Sequence, residues 1–120
     1  MLTGDATAED VARGTDVDNL DIIPATKRMT SAEKLLEMEQ FGKNEKLKEA
    51  FGNGSSDDWD YVFFDCPASF GRVTMNAMVA AGNLIVPIEA SDMAVDGAAD
   101  LLGMIGDIRQ YHNPDLEMAG

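Results

Sequence analysis

The apolar residues of this chain follow two spacings in turn, which predicts an alternation of strands and helices. Short runs rich in branched and aromatic side chains indicate strands at 19–24 (NLDIIP), 61–64 (YVFF) and 84–88 (LIVPI). Apolar residues three and four apart predict helices at 7–13, 30–51, 70–81 and from residue 92 to about 112. Residues 116–119 resemble the beginning of a further strand. From the first strand onward, this order predicts an α/β fold with a parallel sheet and flanking helices.

Capping residues and glycines indicate where these helices begin and end. Thr7 is expected to cap the first helix, and Gly14 to stop it. Thr30 and Glu33 have the spacing of a capping box for the second helical region. Gly42 is expected to divide that region into two helical pieces.

The last predicted helix carries one apolar stripe. Asp92 is expected to cap this helix, and residues 112–114 (HNP) to end it. The residues of the stripe share one helix face and are Val95, Ala98, Leu101, Leu102, Ile105 and Ile108. The eight methionines are interpreted as core residues, not as a metal-binding or peptide-binding surface.

Composition narrows the classes of function. The 120 residues include 22 acidic and 9 basic side chains, a net charge of −13, which opposes binding to nucleic acid or to an anionic membrane. The lysines between 43 and 48 alternate with glutamates, so a solvated helix face is favoured over a DNA-binding patch. Cys66 is the only cysteine, no apolar run has membrane-spanning length, and the acidic N-terminus lacks a secretion pattern. We therefore expect a cytoplasmic protein.

Asp65 is the first candidate for chemistry. It follows the apolar run 61–64 and is expected at the carboxyl end of a parallel strand, the edge at which α/β sheets bind ligands. An aspartate there can hold a water on Mg²⁺, which prefers oxygen ligands. A cap on the following helix is an equally good interpretation of Asp65 alone.

The residues after Asp65 carry a family resemblance. Pro67 restricts the backbone on both sides of itself, and Gly71 permits a close turn into the next helix. Here the chain resembles the ParA/MinD (Soj-like) group of deviant Walker ATPases, and the resemblance extends in order from residue 7 to 120. The matching segments are 20–25 (LDIIPA), 65–69 (DCPAS), 74–81 (TMNAMVAA), 83–89 (NLIVPIE), 96–102 (DGAADLL) and 113–116 (NPDL).

This resemblance implies a site for ATP and Mg²⁺. Asp65 would be the catalytic Walker B aspartate, acting on Mg²⁺ through water. Cys66, Pro67, Ser69 and Gly71 would belong to the cofactor-binding switch segment that senses the γ-phosphate near a dimer interface. Ala68 stands where the family more often has a second proline. Arg72 is expected to be exposed at this switch, where contact with a dimer partner and an ordinary helix-start position are equally good interpretations.

The family's glycine-rich phosphate-binding loop occurs nowhere in the sequence, and neither do its last strands or its basic DNA-binding surface. Residues 1–120 are therefore expected to form a single partial ParA-type nucleotide-binding domain with an incomplete P-loop NTPase-like, three-layer fold. It is expected to be inactive alone. The implied partners are a second copy or a full-length ParA-type homologue in a dimer, and a ParB-like adaptor. Nucleic acid would be engaged only indirectly.

Two other functions are weighed against a partition ATPase fragment. One is a non-catalytic interaction module that pairs with full-length relatives. The other is an amidoligase-like enzyme of the same superfamily, which the turn at 66–69 and the helix after it disfavour. A nucleophilic role for Cys66 would need a nearby base, and the sole histidine, His112, is expected at the far end of a helix. The sequence has no cluster of histidine and cysteine residues that would indicate a zinc site.

Overall fold

The computed structural model of the chain describes residues 1–2, 6–38, 44–52, 58–67, 69, 71–87 and 94–120. The helices of the described chain are α1 (Ala8–Val11), α2 (Met29–Met38), α3 (Lys46–Gly52), α4 (Arg72–Ala80) and α5 (Ala94–Tyr111). Its strands are β1 (Arg13–Gly14), β2 (Asp21–Ile22), β3 (Asn83–Leu84) and β4 (Glu117–Met118). No helix among the described residues is long and apolar enough to cross a membrane.

Thr7 caps the short helix α1, as predicted. The Thr7 hydroxyl accepts a bond from the Asp10 backbone N–H, and the Asp10 carboxylate accepts one from the Thr7 N–H at 2.9 Å. These reciprocal bonds satisfy two donors at the helix start. The hydrogen bonds that the Asp10 carboxylate accepts from the Thr7 N–H and from the Thr7 hydroxyl lower the pKa of the Asp10 carboxyl. The helix ends at Val11, before the antiparallel pair of β1 and β2 begins.

A tight turn joins β1 to β2. The Leu20 N–H donates to the Val17 carbonyl at 3.2 Å, and Asn19 within this turn has a φ of 60°. Asparagine tolerates this left-handed backbone better than most residues. The predicted strand 19–24 is therefore a hairpin arm whose ladder covers only Asp21–Ile22.

The capping box predicted from Thr30 and Glu33 is wrong. Helix α2 begins one residue earlier, at Met29, whose N–H donates to the Thr26 carbonyl at 2.9 Å. Thr30 thus lies inside the first turn of the helix. Gly42 and Asp92, the expected helix break and helix cap, lie outside the described residues.

The predicted parallel pairing occurs between β3 and β4. The N–H groups of Glu117 and Ala119 donate to the carbonyls of Gly82 and Leu84 at 2.9 and 2.8 Å. The Val86 N–H then donates to the Gly120 carbonyl at 2.7 Å, which extends the pairing past the short strands. Helix α5 connects the two strands, so this part of the chain is a β–α–β unit.

Helix α4 lies between two apolar clusters. Its Ala77 joins the first core cluster with Leu2, Leu36 and Leu47. On its other side the second core cluster consists of Met78, Val79, Ile108 and Leu116. Burial on both sides makes α4 the centre of the described structure.

The expected stripe on α5 is confirmed at Ile105 and Ile108, which are buried, and at Leu101, which packs against the second core cluster. It is wrong at Leu102, which is 58% exposed. Met104 packs in this region instead. The interpretation of methionines as core residues holds for Met78 and fails for Met38, which is exposed.

Candidate functional site

The segment from Asp60 to Cys66 leads into the candidate site. Before it, Trp59 donates its Nε1–H to Asp21 Oδ2 at 2.8 Å and sets its ring edge against Phe51, with ring centroids 6.4 Å apart. Phe64 makes a second edge-to-face contact with Phe51 at 5.4 Å and packs on the first core cluster. The segment is therefore held near both ends by aromatic contacts with α3.

The outward side of this segment is uncovered. Tyr61 and Phe63 are 82% and 85% exposed, whereas Phe64 is half-buried. The prediction of a strand at 61–64 buried on both faces is therefore wrong. No strand hydrogen bond joins these residues to the rest of the described chain, so one side remains open to solvent.

Asp65 lies at the end of this segment, as the sequence predicts. It lines a cavity of about 450 Å³, the open groove, which lies between residues 21–25 and 61–66. The Asp65 side chain is exposed, and it makes no hydrogen bond or ion pair with another described residue. Its carboxylate is therefore available to a ligand.

A single available carboxylate suits only part of a magnesium site. Within the described ranges, no three His, Cys, Asp or Glu side chains are grouped to hold a metal ion. One carboxylate reaching Mg²⁺ through a water fits the role that the family resemblance implies for Asp65, because Mg²⁺ keeps several of its waters. The other ligands would have to come from the nucleotide or from another polypeptide segment.

Cys66 also lines the open groove. Its thiol is reachable from solvent, yet the surrounding protein removes enough water to raise the pKa of Cys66, and the neighbouring Asp65 carboxylate raises it further. A raised pKa keeps the thiol protonated and weakens it as a nucleophile. His112 interacts with Asn44 and lines a different cavity, between α4 and α5, so it does not serve as a base for Cys66.

The turn after Pro67 brings Ser69 and Gly71 to the beginning of α4. The Thr74 hydroxyl donates to the Ser69 carbonyl at 2.8 Å, which ties the turn to the helix. Gly71 is the N-cap residue, with extended backbone and no side-chain cap. Gly71 itself therefore offers no side chain to cap the first N–H groups of α4, and a helix start of this kind favours an anion.

Glu33 is the residue at this turn whose position there the sequence does not predict. Its carboxylate, from α2, packs so closely on Gly71 that a Cβ atom at position 71 would overlap it. A carboxylate is the kind of group that a helix N-terminus attracts. Interpreting Glu33 as part of a capping box on its own helix concealed this contact, and no sequence signal links position 33 to position 71.

Arg72 differs from its expected state. It is half-buried, and its guanidinium Nη1 donates to Asn44 Oδ1 at 3.3 Å and contacts Met75 Sδ at 3.5 Å. Asn44 in turn contacts His112 Nε2 at 3.5 Å. The expectation of an exposed arginine at the switch is therefore wrong, because this side chain links α4 to the residues just before α3 and to the end of α5.

An apolar segment that delivers an aspartate into a turn, a central helix and a parallel β–α–β unit together define part of a P-loop-type ATPase fold. Solved structures support this class. The structure of cobyrinic acid a,c-diamide synthase from Mycobacterium smegmatis with bound ATP analog and magnesium superposes with a TM-score of 0.86 at 35% identity. The match covers 99% of this chain and 48% of that one. A second structure of the same protein contains ADP and magnesium.

Sequence comparisons narrow the class to a family. The family model described as AAA domain matches residues 1–118. The sporulation initiation inhibitor protein Soj of Bacillus subtilis is 32% identical over the whole chain, and the chromosome partitioning protein ParA of Myxococcus xanthus is 32% identical over 99% of it. The chain therefore belongs to this AAA domain family, and it is similar over its whole length to ParA/Soj-type partition proteins. It spans 47% and 41% of the length of these two relatives.

Proposed function

We propose that this chain supplies the Walker B and switch portion of a ParA-type ATPase that segregates a plasmid or chromosome in the cytoplasm. The observation that carries the proposal is the position of Asp65, available in the open groove directly before the turn into α4. In this proposal Asp65 orients a water on Mg²⁺. Residues 66–71 sense the terminal phosphate of ATP.

The contact between the Glu33 carboxylate and Gly71 supports the further proposal that the chain is inactive alone. An anionic phosphate and the Glu33 carboxylate would compete for the same place at Gly71, the beginning of α4. Like charges in that place repel one another, and a second polypeptide segment would have to offset this repulsion. Completion of the site thus depends on residues beyond those that surround Asp65.

The proposed partners follow the same reasoning. A second copy or a full-length ParA-type homologue would complete a dimer, and a ParB-like adaptor would regulate it. The net charge of −13 opposes direct contact with DNA, so nucleic acid would be reached through the partner.

Nucleotide binding and hydrolysis test the proposal. We expect the 120-residue chain to show no ATP hydrolysis and no increase in binding of a fluorescent ATP analogue when Mg²⁺ is added. Hydrolysis by the purified chain that disappears in Asp65→Asn would overturn the proposed inactivity. Asp60→Asn is the matched control, because Asp60 is an exposed aspartate near the beginning of the same segment.

A chimera tests the role of Asp65 itself. The chromosome-partitioning ATPase Soj of Thermus thermophilus is 33% identical over 104 residues and is a suitable host for the aligned part of this chain. We expect a chimera that folds to hydrolyse ATP, with hydrolysis reduced at least about tenfold by Asp65→Asn and unchanged by Asp60→Asn. Equal activity of the two variants would exclude Asp65 from the reaction.

A non-catalytic interaction module is the second candidate, favoured by the exposed apolar residues beside the open groove. Size-exclusion chromatography of the chain with an intact relative separates the two functions. Co-elution without any effect of Asp65→Asn on ATP hydrolysis by the mixture supports the module. Separate elution excludes it.

A further inference from the structure

Three polar side chains, the Arg72–Asn44–His112 link, connect the beginning of α4 to the end of α5. The guanidinium of Arg72, the first residue of α4, donates from Nη1 to Asn44 Oδ1 at 3.3 Å. The Asn44 amide nitrogen Nδ2 lies 3.5 Å from His112 Nε2. Asn44 is buried, and Arg72 and His112 are half-buried, so water competes only in part for these contacts.

The link determines the protonation state of His112. A guanidinium has donors and no acceptor, so the Asn44 atom that faces Arg72 must be the amide oxygen. The atom that faces His112 is then the amide nitrogen, which only donates. His112 Nε2 must therefore accept, which requires a neutral imidazole that carries its proton on Nδ1.

Protonation of His112 disrupts this arrangement. An imidazolium has an N–H on both ring nitrogens, so its Nε2–H would face the N–H groups of Asn44. A flip of the amide turns the Asn44 oxygen towards the imidazolium and gives it a charge-assisted hydrogen bond. The same flip turns the amide nitrogen towards the Arg72 guanidinium, where two donors meet. The long side chain of Arg72 can leave for solvent, so the proton and Arg72 compete for one amide oxygen.

The charges around His112 act in both directions. The His112 N–H donates to the Ile108 carbonyl at 2.9 Å in the last turn of α5, and a helix C-terminus favours a cation. Carboxylates in the cavity between α4 and α5 also favour an imidazolium, whereas cationic side chains oppose it. The titratable and charged side chains are Asp100, Asp107 and Tyr111 in that cavity, Arg72 beyond Asn44, and Glu45 and Lys46, which follow Asn44 in the sequence.

We infer that the Arg72–Asn44–His112 link is a proton-sensitive latch on Arg72. While His112 is neutral, Asn44 holds the guanidinium. When His112 takes up a proton from solvent, the amide flips and releases Arg72 at the beginning of α4, directly after Gly71. The effect of this release on phosphate sensing rests on the proposed function, whereas the latch itself requires no nucleotide. Failure of the latch would therefore leave the proposed ATPase role untouched, and the reverse also holds.

Nuclear magnetic resonance of the full ¹⁵N-labelled chain tests the latch. His112 is the only histidine, so its ring nitrogens are identified without ambiguity. At about pH 8, where a histidine is ordinarily neutral, we expect a protonated Nδ1 and an unprotonated Nε2. On acidification the Arg72 Nε–H signal, identified by its loss in Arg72→Lys, should shift with the same midpoint as the His112 ring. A neutral ring protonated at Nε2, or an Arg72 signal that does not follow the His112 titration, would overturn the inference.

Substitutions at Asn44 and His112 separate the latch from a general effect of acid. Asn44→Ala removes the shared amide, so the Arg72 signal should no longer follow His112. His112→Gln offers Asn44 an acceptor at every pH, so the Arg72 signal should become independent of pH over the same range. Persistence of the Arg72 shift in either folded variant would contradict the latch. Far-UV circular dichroism checks the fold, and the tautomer of the unsubstituted chain decides the matter if a variant does not fold.

A charged variant tests the competition for one acceptor. The carboxylate of Asn44→Asp can accept from both cations, so Arg72 should stay bound in acid. The midpoint of the His112 titration should rise by about one pH unit in this variant, because its charged form gains an anionic partner. Asn19→Asp, which adds the same charge in the exposed turn between β1 and β2, is the matched control and should leave both signals unchanged. Release of Arg72 from Asn44→Asp in acid would show that competition for the amide is not the cause.

Discussion

Two apolar runs of this chain have the same strand-like character but reach different states. Residues 83–86 (NLIV) pair with 117–120, whereas 61–64 (YVFF) pair with no described strand. The difference lies in the neighbours. Helix α5 packs on α4 through the second core cluster and carries β4 back beside β3. An apolar run alone thus does not place a segment in a sheet, and a neighbouring strand decides whether the segment pairs.

Side-chain hydrogen bonds stabilise the region of β3 and β4, whereas the side chains of 61–64 make no such bonds with other described residues. The Arg109 Nε–H donates to the Leu116 carbonyl at 2.6 Å, just before β4. Asn113 donates to the carbonyls of Met78 and Ala81 at 3.0 and 2.7 Å, which fixes the loop before β4 against the end of α4. We therefore expect substitutions in the paired region to cost far more stability than those on the open side of 61–64.

The largest expected effect is at Ile108, which is fully buried in the second core cluster. Ile108→Ala should lower the free energy of unfolding by about 2–5 kcal/mol, because it leaves a cavity between α4 and α5. Urea denaturation monitored by circular dichroism measures this change. Leu102→Ala on the same helix is the control, and it should cost less than about 0.5 kcal/mol since Leu102 is largely exposed. Equal losses would show that α5 does not pack as described.

The next effect is at Asn113, which is buried and bonded to two carbonyls. Asn113→Ala should cost about 1–3 kcal/mol, because it leaves buried acceptors without a donor. Asn113→Asp should cost at least as much, since its carboxylate would face the same carbonyl oxygens. Gln110→Ala, at an exposed position of α5, should cost little in the same urea measurement. A stable Asn113→Ala protein would contradict the proposed fixing of the loop.

A smaller effect should separate two adjacent aromatic residues in the open segment. Phe64→Ala should cost about 1–2 kcal/mol, because it removes the ring contact with Phe51 and part of the first core cluster. Phe63→Ala should change stability by less than about 0.5 kcal/mol, because Phe63 is almost entirely exposed. It should also reduce self-association, measured by light scattering, since an uncovered apolar edge promotes aggregation. Equal costs at the two positions would mean that Phe63 is buried in solution.

Much of the fold could be predicted from the sequence because the signals were local. The Thr7 cap depends on residues three apart, and the buried positions Ile105 and Ile108 depend on the period of one helix. The Thr30 box failed because a competing turn at Thr26 started α2 earlier. Whether residues 61–64 pair in a sheet depends on which strands lie beside them, and their apolar content alone does not contain that information.

The candidate site was predictable to a similar extent. Asp65 and Cys66 lie together in the open groove because they are adjacent in sequence, and Gly71 begins α4 where the turn pattern indicates. Their proposed roles in nucleotide chemistry remain predictions. Glu33 and the Arg72–Asn44 contact join residues 38 and 28 positions apart, respectively, so only tertiary packing could bring them to the turn.

The smallest expected effect concerns the reactivity of Cys66, at the end of the segment from Asp60 to Cys66. Partial burial raises the pKa of this thiol above its ordinary value of 9.0, and the Asp65 carboxylate adds to the rise. The thiolate is the reactive form, so alkylation by iodoacetamide near pH 8 should be slower in the folded chain than in urea. The rate should increase with pH through a midpoint above 9.0 in the folded chain.

Asp65→Asn should lower this midpoint while leaving it above that of the unfolded chain, because burial is the larger cause. A midpoint unchanged by Asp65→Asn but still raised would assign the whole effect to burial, and a lowered midpoint in the unsubstituted folded chain would contradict the described surroundings of Cys66.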